Sequence, residues 1–365
     1  MDMPSNPRLK IINSAMLAPL VRRYLDRPEA GLVDWEVAAL HGASTNSEIH
    51  RFSGHARDRD EILPWSMILK IITSPDGTDE PTSERYWKRE ALTFQTGLFD
   101  KLPAVICAPH CFGVVEHPDL EVWLWMEEVV DELGGSWSLD QYGSVARHLG
   151  LFNATYCDEC SLLEEPWLAK GRLRTWVWDA PSELPPQVLV HPLVARIWSK
   201  EMYAWFLRVR SQQETWLAGM ESQPQTISHL DAFRRNIFSR RDGQGEWQSV
   251  LINWGYVGSA AAGEEIALLV AASLNFLEFD IGQAGALDEV VFEGYLEGLR
   301  MAGWRGDPRT VRSTCMTASI LCYIISVSGV AFMVADEVQH GILEQAFGHM
   351  LNEGINYGII PGKYE

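Results

Sequence analysis

The apolar positions follow two different periods along the chain. Before about residue 130 the runs are short and strand-like. Residues 33–40 (VDWEVAAL) alternate, and 47–52 return as a second strand across the small polar turn His41–Asn46. Residues 65–72 (WSMILKII) form an apolar run with one cation, Lys70, near its end. A loop rich in Pro, Asp, Gly and Thr then leads to a predicted helix over 84–99, with Ser83 as its cap. Residues 104–116 and 120–127 read as two more strands, the second apolar throughout 122–126.

Beyond Asp131 the period lengthens. Helices are predicted over 139–156, 194–216, 264–279, 287–302 and 310–334, interrupted by a strand-and-loop island at 225–254. The layout is α+β: a small five-stranded lobe with one helix over 1–130, a linker near 127–137, and a mainly helical lobe over 131–365. Residues 313–335 carry no charge, yet hydroxyls interrupt them and Asp336 and Glu337 follow, which predicts a helix buried among helices rather than in lipid. The polar start of the chain has no apolar run before a cleavage site, so a cytoplasmic location is expected.

Composition narrows the partners. At 365 residues with 47% hydrophobic positions, the chain has material for a full core, which excludes disorder and a disulfide-stapled miniature. Thirty Lys and Arg against 49 Asp and Glu leave a formal charge of −19, which argues against nucleic acid or a membrane surface as the main partner. Cys157 and Cys160 have metal-ligand spacing, and Cys107 with Cys111 would complete a four-thiolate set. No second CxxC and no suitably spaced His accompanies them, so reduced thiols are the expectation.

The chemistry is concentrated in the island. His229-Leu-Asp231 is followed five residues later by Asn236, then by a turn at 241–245 and a strand ending at Asn253-Trp-Gly255. An Asp so placed can orient and deprotonate a hydroxyl, and an Asn five residues on can ligate magnesium. Phosphoryl transfer requires positioning and charge neutralisation rather than a covalent nucleophile.

The chain resembles the aminoglycoside phosphotransferase family, which has a choline-kinase-like and protein-kinase-like fold. Asp231 and Asn236 fall on its HxDxxxxN motif, Leu124-Trp-Met-Glu-Glu128 is similar to its hinge, and Glu90 matches the helix Glu that pairs with the strand Lys, here Lys70. Segments 263–267 and 295–304 are similar to parts of its helical lobe. The resemblance implies a two-lobed kinase-like fold with ATP or GTP between the lobes and adenine near Glu127 and Val129. Lys70, held by Glu90 (Glu84 as fallback), would bind the α/β-phosphates. Ser44 and Thr45 would cover phosphate oxygens, and Arg234 or Arg235 would reach the γ-phosphate. Asn236 and Asn253 would hold Mg2+, and Asp231 would act as base toward a small-molecule hydroxyl, antibiotic-like or choline-like. The acceptor is expected between about Arg172 and Met220. His229 is expected to be structural, Glu264 and Glu265 to brace the loop, and most of the tryptophans to be core.

Two departures qualify this. The hairpin at 41–46 has only Gly42 and is no glycine-rich loop. Asn253 stands where the family has a metal-binding Asp, and the amide brings no negative charge. An enzyme with altered metal use, a nucleotide-binding pseudokinase and an inactivated substrate trap all fit it. A peptide Ser or Thr is the remaining alternative acceptor.

Overall fold

The computed structural model describes residues 6–40, 46–156, 164–197 and 199–335. Two compact units emerge. One comprises the chain up to Asp100 with Cys107–Val130, and the other comprises Lys101–Ile106 with the chain from Asp131 onward.

The first unit is a five-stranded antiparallel sheet. In chain order it contains helix α1 (Ser14–Leu25), strands β1 (Gly31–Leu40), β2 (Ser47–Asp58) and β3 (Glu61–Thr73), helix α2 (Arg89–Gln95), and strands β5 (Cys111–His117) and β6 (Glu121–Glu127); the short strand β4 (Ile106–Cys107), at the boundary between the units, is not part of this sheet. The sheet order is β1-β2-β3-β6-β5, so β3 and β6 are interior and β1 and β5 are edges. Interior position explains the unbroken apolar run of β6, where Val122, Trp123, Leu124 and Trp125 are all buried. On one face Phe52, Met67, Leu69 and Trp125 form a core with Leu17, Leu20 and Val21 of α1. Edge strand β1 is bulged between Leu32 and Asp34, and Asp34 Oδ1 accepts the His55 N–H at 2.9 Å.

The unit holds two helices where the pattern predicted one, and α2 is shorter than expected. Its N-cap is Lys88 rather than Ser83, and it is followed by Gly97 at φ +74°. Residues 83–88 are held in turns by their own neighbourhood. The Trp87 Nε1–H donates to Thr78 O, the Tyr86 hydroxyl to Asp79, and the Arg89 guanidinium to Ser83 O. Of these acceptors, Ser83 O is the carbonyl that the first turn of the expected helix would use, and the other two bonds tie Tyr86 and Trp87 back to the preceding loop. The single strand expected over 104–116 is broken into β4 and β5.

The second unit is mainly helical: α3 (Leu139–Thr155), α4 (Arg172–Asp179), α5 (Pro186–Leu189), α6 (Pro192–Ile197), α7 (Lys200–Glu221), α8 (Glu264–Asn275), α9 (Ala284–Met301) and α10 (Pro308–Ala335). Ser138 caps α3 in a capping box with Gln141. The helix expected over 194–216 is two helices, α7 starting afresh with Ser199 as its cap. Helices α3 and α9 cross backbone to backbone. A Cβ at Gly298 would stand 2.0 Å from Arg147 O, and one at Gly294 would stand 2.3 Å from Gly143 O. The island forms β7 (Gln225–Ser228), β8 (Ile237–Arg241) and β9 (Trp247–Leu251), and β10 (Gly258–Ala261) pairs with β7. Val311, Cys315, Ala318, Leu321 and Ile324 of α10 are buried. Among the described residues no helix is long and apolar enough to cross a membrane.

Candidate active site

In the first unit, Lys70 lies on interior strand β3, registered between Ile49 of β2 and Leu124 of β6. Its Nζ is 2.5 Å from Glu90 Oε2, and both residues are buried. Strand pairing fixes the lysine and α2 brings up the glutamate. A buried amine oriented by a carboxylate is suited to a polyanion. Glu90 is thus an ion-pair partner of Lys70. Glu127 closes β6 by accepting the His110 N–H at 3.1 Å, while its own N–H donates to His110 O at 2.8 Å. Val129 follows, half-buried. Ser44 and Thr45 lie outside the described residues, as do Cys157, Cys160 and Trp198.

In the second unit, the segment between β7 and β8 centres on the Asp231 carboxylate, 8% exposed. Its Oδ2 accepts the Nδ2–H of Asn236 at 2.7 Å and of Asn253 at 2.8 Å, and its Oδ1 accepts the Arg172 guanidinium at 3.1 Å. Asn236 arrives on a short 3-10 turn (Arg234–Asn236), and its Nδ2 also donates to Asp231 O at 2.9 Å. Asn253 sits at φ +65°, a left-handed conformation that asparagine tolerates better than most residues. Asp231, Asn236 and Asn253 are thus brought together.

The backbone beneath them is strained and braced. Leu230 has φ +59°, a costly conformation for a bulky residue and of a kind that concentrates at functional sites. The Glu265 carboxylate, from the first turn of α8, accepts the N–H groups of His229 at 2.6 Å and Leu230 at 3.1 Å. Asn153 of α3 donates to the other Glu265 oxygen at 2.9 Å, and its own amide oxygen accepts the Tyr295 hydroxyl at 2.6 Å. Burial pushes Glu265 up to about 7 against these donors. The neighbouring Glu264 is pushed up to about 8 by burial, with Glu221 and Glu265 adding to the rise. His229 is fully buried; its Nδ1 accepts the Asp231 N–H at 3.2 Å, so Nε2 carries the proton donated to Ile252 O at 2.9 Å. That geometry makes it a loop strut.

Both arginines of the loop have internal partners. Arg234 donates to Asp131 at 2.8 Å and to Gly134 O and lies over Trp137, while Arg235 pairs with Glu278 at 2.7 Å. The residues that the sequence reading missed are Arg172, Trp176 and Tyr256. The guanidinium carbon of Arg172 lies 3.8 Å from the Trp176 ring centroid and 3.0 Å from that of Tyr256. Arg172 and Trp176 are one helical turn apart on α4, a spacing that was the available signal.

Asn236 and Asn253 each carry a carbonyl oxygen, the atom type a hard divalent cation takes, though neither adds charge. Among the described residues no group of three or more His, Cys, Asp or Glu is placed to hold a metal ion.

No family model matches the chain, and no curated protein matches it in sequence. Solved structures do match. Amicoumacin kinase, solved in complex with AMP-PNP, Ca2+ and Ami, aligns over 94% of both chains at 12% identity with a TM-score of 0.50. The fold is kinase-like. An aminoglycoside phosphotransferase from Alicyclobacillus acidocaldarius aligns over 89% of this chain and 90% of its own at 15% identity and TM-score 0.49. One from Streptomyces rimosus, solved with ADP and streptomycin, aligns over 87% and 99% at 15% identity and TM-score 0.44. The β-sheet unit followed by a helical unit is the α+β architecture of this kinase-like fold.

Proposed function

We propose that this chain transfers the γ-phosphoryl group of ATP or GTP to a hydroxyl of a small molecule. The observation that carries the reading is the Asp231 carboxylate gathered with two asparagine amides at the end of a strained, doubly braced loop. The buried Lys70–Glu90 pair and the likeness to amicoumacin kinase support it.

Lys70 binds α- and β-phosphate oxygens, with Glu90 keeping the ammonium oriented. Glu127 and Val129 line the place of the base, and Ser44 and Thr45 cover phosphate. Asp231 accepts the acceptor's hydroxyl proton as that oxygen bonds to the γ-phosphorus and the bond to the nucleoside diphosphate breaks. Asn236 and Asn253 would hold Mg2+, which supplies charge neutralisation on the phosphates when bound. Arg234 keeps its loop against Asp131 rather than reaching for phosphate.

The Asn253 amide favours a second reading, a scaffold that binds nucleotide without turnover, because it anchors Asp231 while adding no negative charge for a metal. One experiment separates the two. ATP is titrated calorimetrically with and without Mg2+, and γ-phosphoryl transfer to a panel of hydroxyl compounds is followed in the wild type and in Asp231→Asn. Magnesium-dependent binding with transfer lost at least about 1,000-fold in Asp231→Asn, at unchanged ATP affinity, supports the enzyme. Metal-independent binding without transfer supports the scaffold. No nucleotide binding overturns both.

A further inference from the structure

We propose that Arg172 is a positioning residue for the Asp231 base, locking both the carboxylate and the strained peptide that carries it; this rests on the phosphotransferase reading. Three observations converge. The Arg172 side chain reaches two acceptors at once: Nε donates to Leu230 O at 2.9 Å and NH2 to Asp231 Oδ1 at 3.1 Å. The first contact holds the carbonyl of the left-handed Leu230, whose N–H Glu265 holds from the other side. The second leaves Oδ2 to the two asparagines, so the rotation of the carboxylate is set by donors on both oxygens.

The guanidinium is itself fixed. It is wedged between Trp176 of its own helix and Tyr256 of the segment following Asn253, and the residue is 7% exposed. The backbone adds stitching: Ala169 donates to Val257 O at 3.1 Å, and its carbonyl accepts the Ser259 N–H at 2.7 Å. Gly258 permits that approach, since a Cβ there would lie 2.2 Å from Ala169 O. The segment bearing Arg172, the loop bearing Asp231 and the turn bearing Asn253 are joined at one guanidinium.

A lysine cannot reproduce this. Serving two acceptors while stacking on rings needs a planar, multiply donating cation. Nor does stability alone account for the pair, because a buried ion pair is on average no better than apolar packing of the same volume. An arginine that orients a base, in contrast, acts on rate, where a misplacement of about 1 Å costs roughly a hundredfold.

The test uses the full chain as wild type, Arg172→Ala, Arg172→Lys, Asp231→Asn and Arg172→Ala/Asp231→Asn. Readouts are Mg-ATP affinity by calorimetry, ATP turnover with water as acceptor, and melting temperature. The expected result is a kcat loss of about 100-fold in Arg172→Ala and at least about 10-fold in Arg172→Lys, with ATP affinity held within about threefold. Added guanidinium ion restores part of the rate in Arg172→Ala, and removing Asp231 as well costs little more. Wild-type kcat in Arg172→Ala, or equal losses in kcat and ATP affinity, overturns the proposal. Absence of ATP binding in the wild type instead overturns the phosphotransferase reading. The melting temperatures then decide the lock without nucleotide: non-additive shifts across the four-protein cycle support it, and additive shifts sink it.

Discussion

At Asn253 the chain places a neutral amide where the resembled family has a carboxylate, and its Nδ2 lies 2.8 Å from Asp231 Oδ2. Asn253→Asp would exchange that donor for a second negative charge. The metal-free variant should lose about 1–3 kcal/mol in chemical denaturation. Saturating Mg2+ should recover most of it and lift ATP turnover at least about tenfold; a variant indifferent to Mg2+ and no faster than the wild type would contradict this. His148 offers a separate test. Its Nδ1 is 2.8 Å from Ser249 Oγ, and burial pushes it down to about 4, so it is neutral in the fold. The folded value lies below the unfolded one, so its stabilisation is present above about 6.5 and fades as pH falls toward about 4, on the order of 3 kcal/mol in all. His148→Gln should flatten that acid limb of the urea-midpoint profile. Asp231 and Asn236 were legible from the sequence because they lie five positions apart, and Asn253 only through the family resemblance. Arg172 was not, because its partner Asp231 lies 59 positions away and only folding joins them.

Among the elements, the strands were legible where burial is continuous or alternating, as in β3 and β6. Helix α1 escaped because Pro19 interrupts its pattern, although Leu17, Leu20 and Val21 keep the helical spacing. The predicted helix over 84–99 overran α2 because helical propensity says nothing of side chains reaching back to Thr78 and Asp79. The α3–α9 crossing gives the sharpest test at this scale. A methyl at Gly298 meets the Arg147 carbonyl, which belongs to a rigid helix backbone and cannot step aside. Gly298→Ala should therefore destabilise the protein by about 2–4 kcal/mol, despite alanine's better helix propensity. Gly219→Ala on α7, where a Cβ meets nothing, is the matched control and should be neutral or stabilising. Equal midpoints for the two would refute a backbone contact.

For the whole molecule, the α+β order of a sheet unit and a helical unit followed from the change of period near residue 130, and the identity of the acceptor did not. Acceptor choice resides in shape and charge assembled from distant segments, which no local spacing records. Nucleotide binding is testable on the intact chain. Mg-ATP at about 100 times its dissociation constant should stabilise it by about 2.7 kcal/mol and raise the melting temperature by about 2–4 °C. Lys70→Met should remove most of that shift, and an undiminished shift would dissociate Lys70 from the phosphates. The bulge in β1 bears on a different property. An exposed edge strand is a template onto which another copy can add, and here the kink at Leu32/Asp34 combines with the acidic side chains of Asp34 and Glu36 along the rim. Each copy thus presents like charge and mismatched spacing to the next along this edge, which disfavours strand addition at β1.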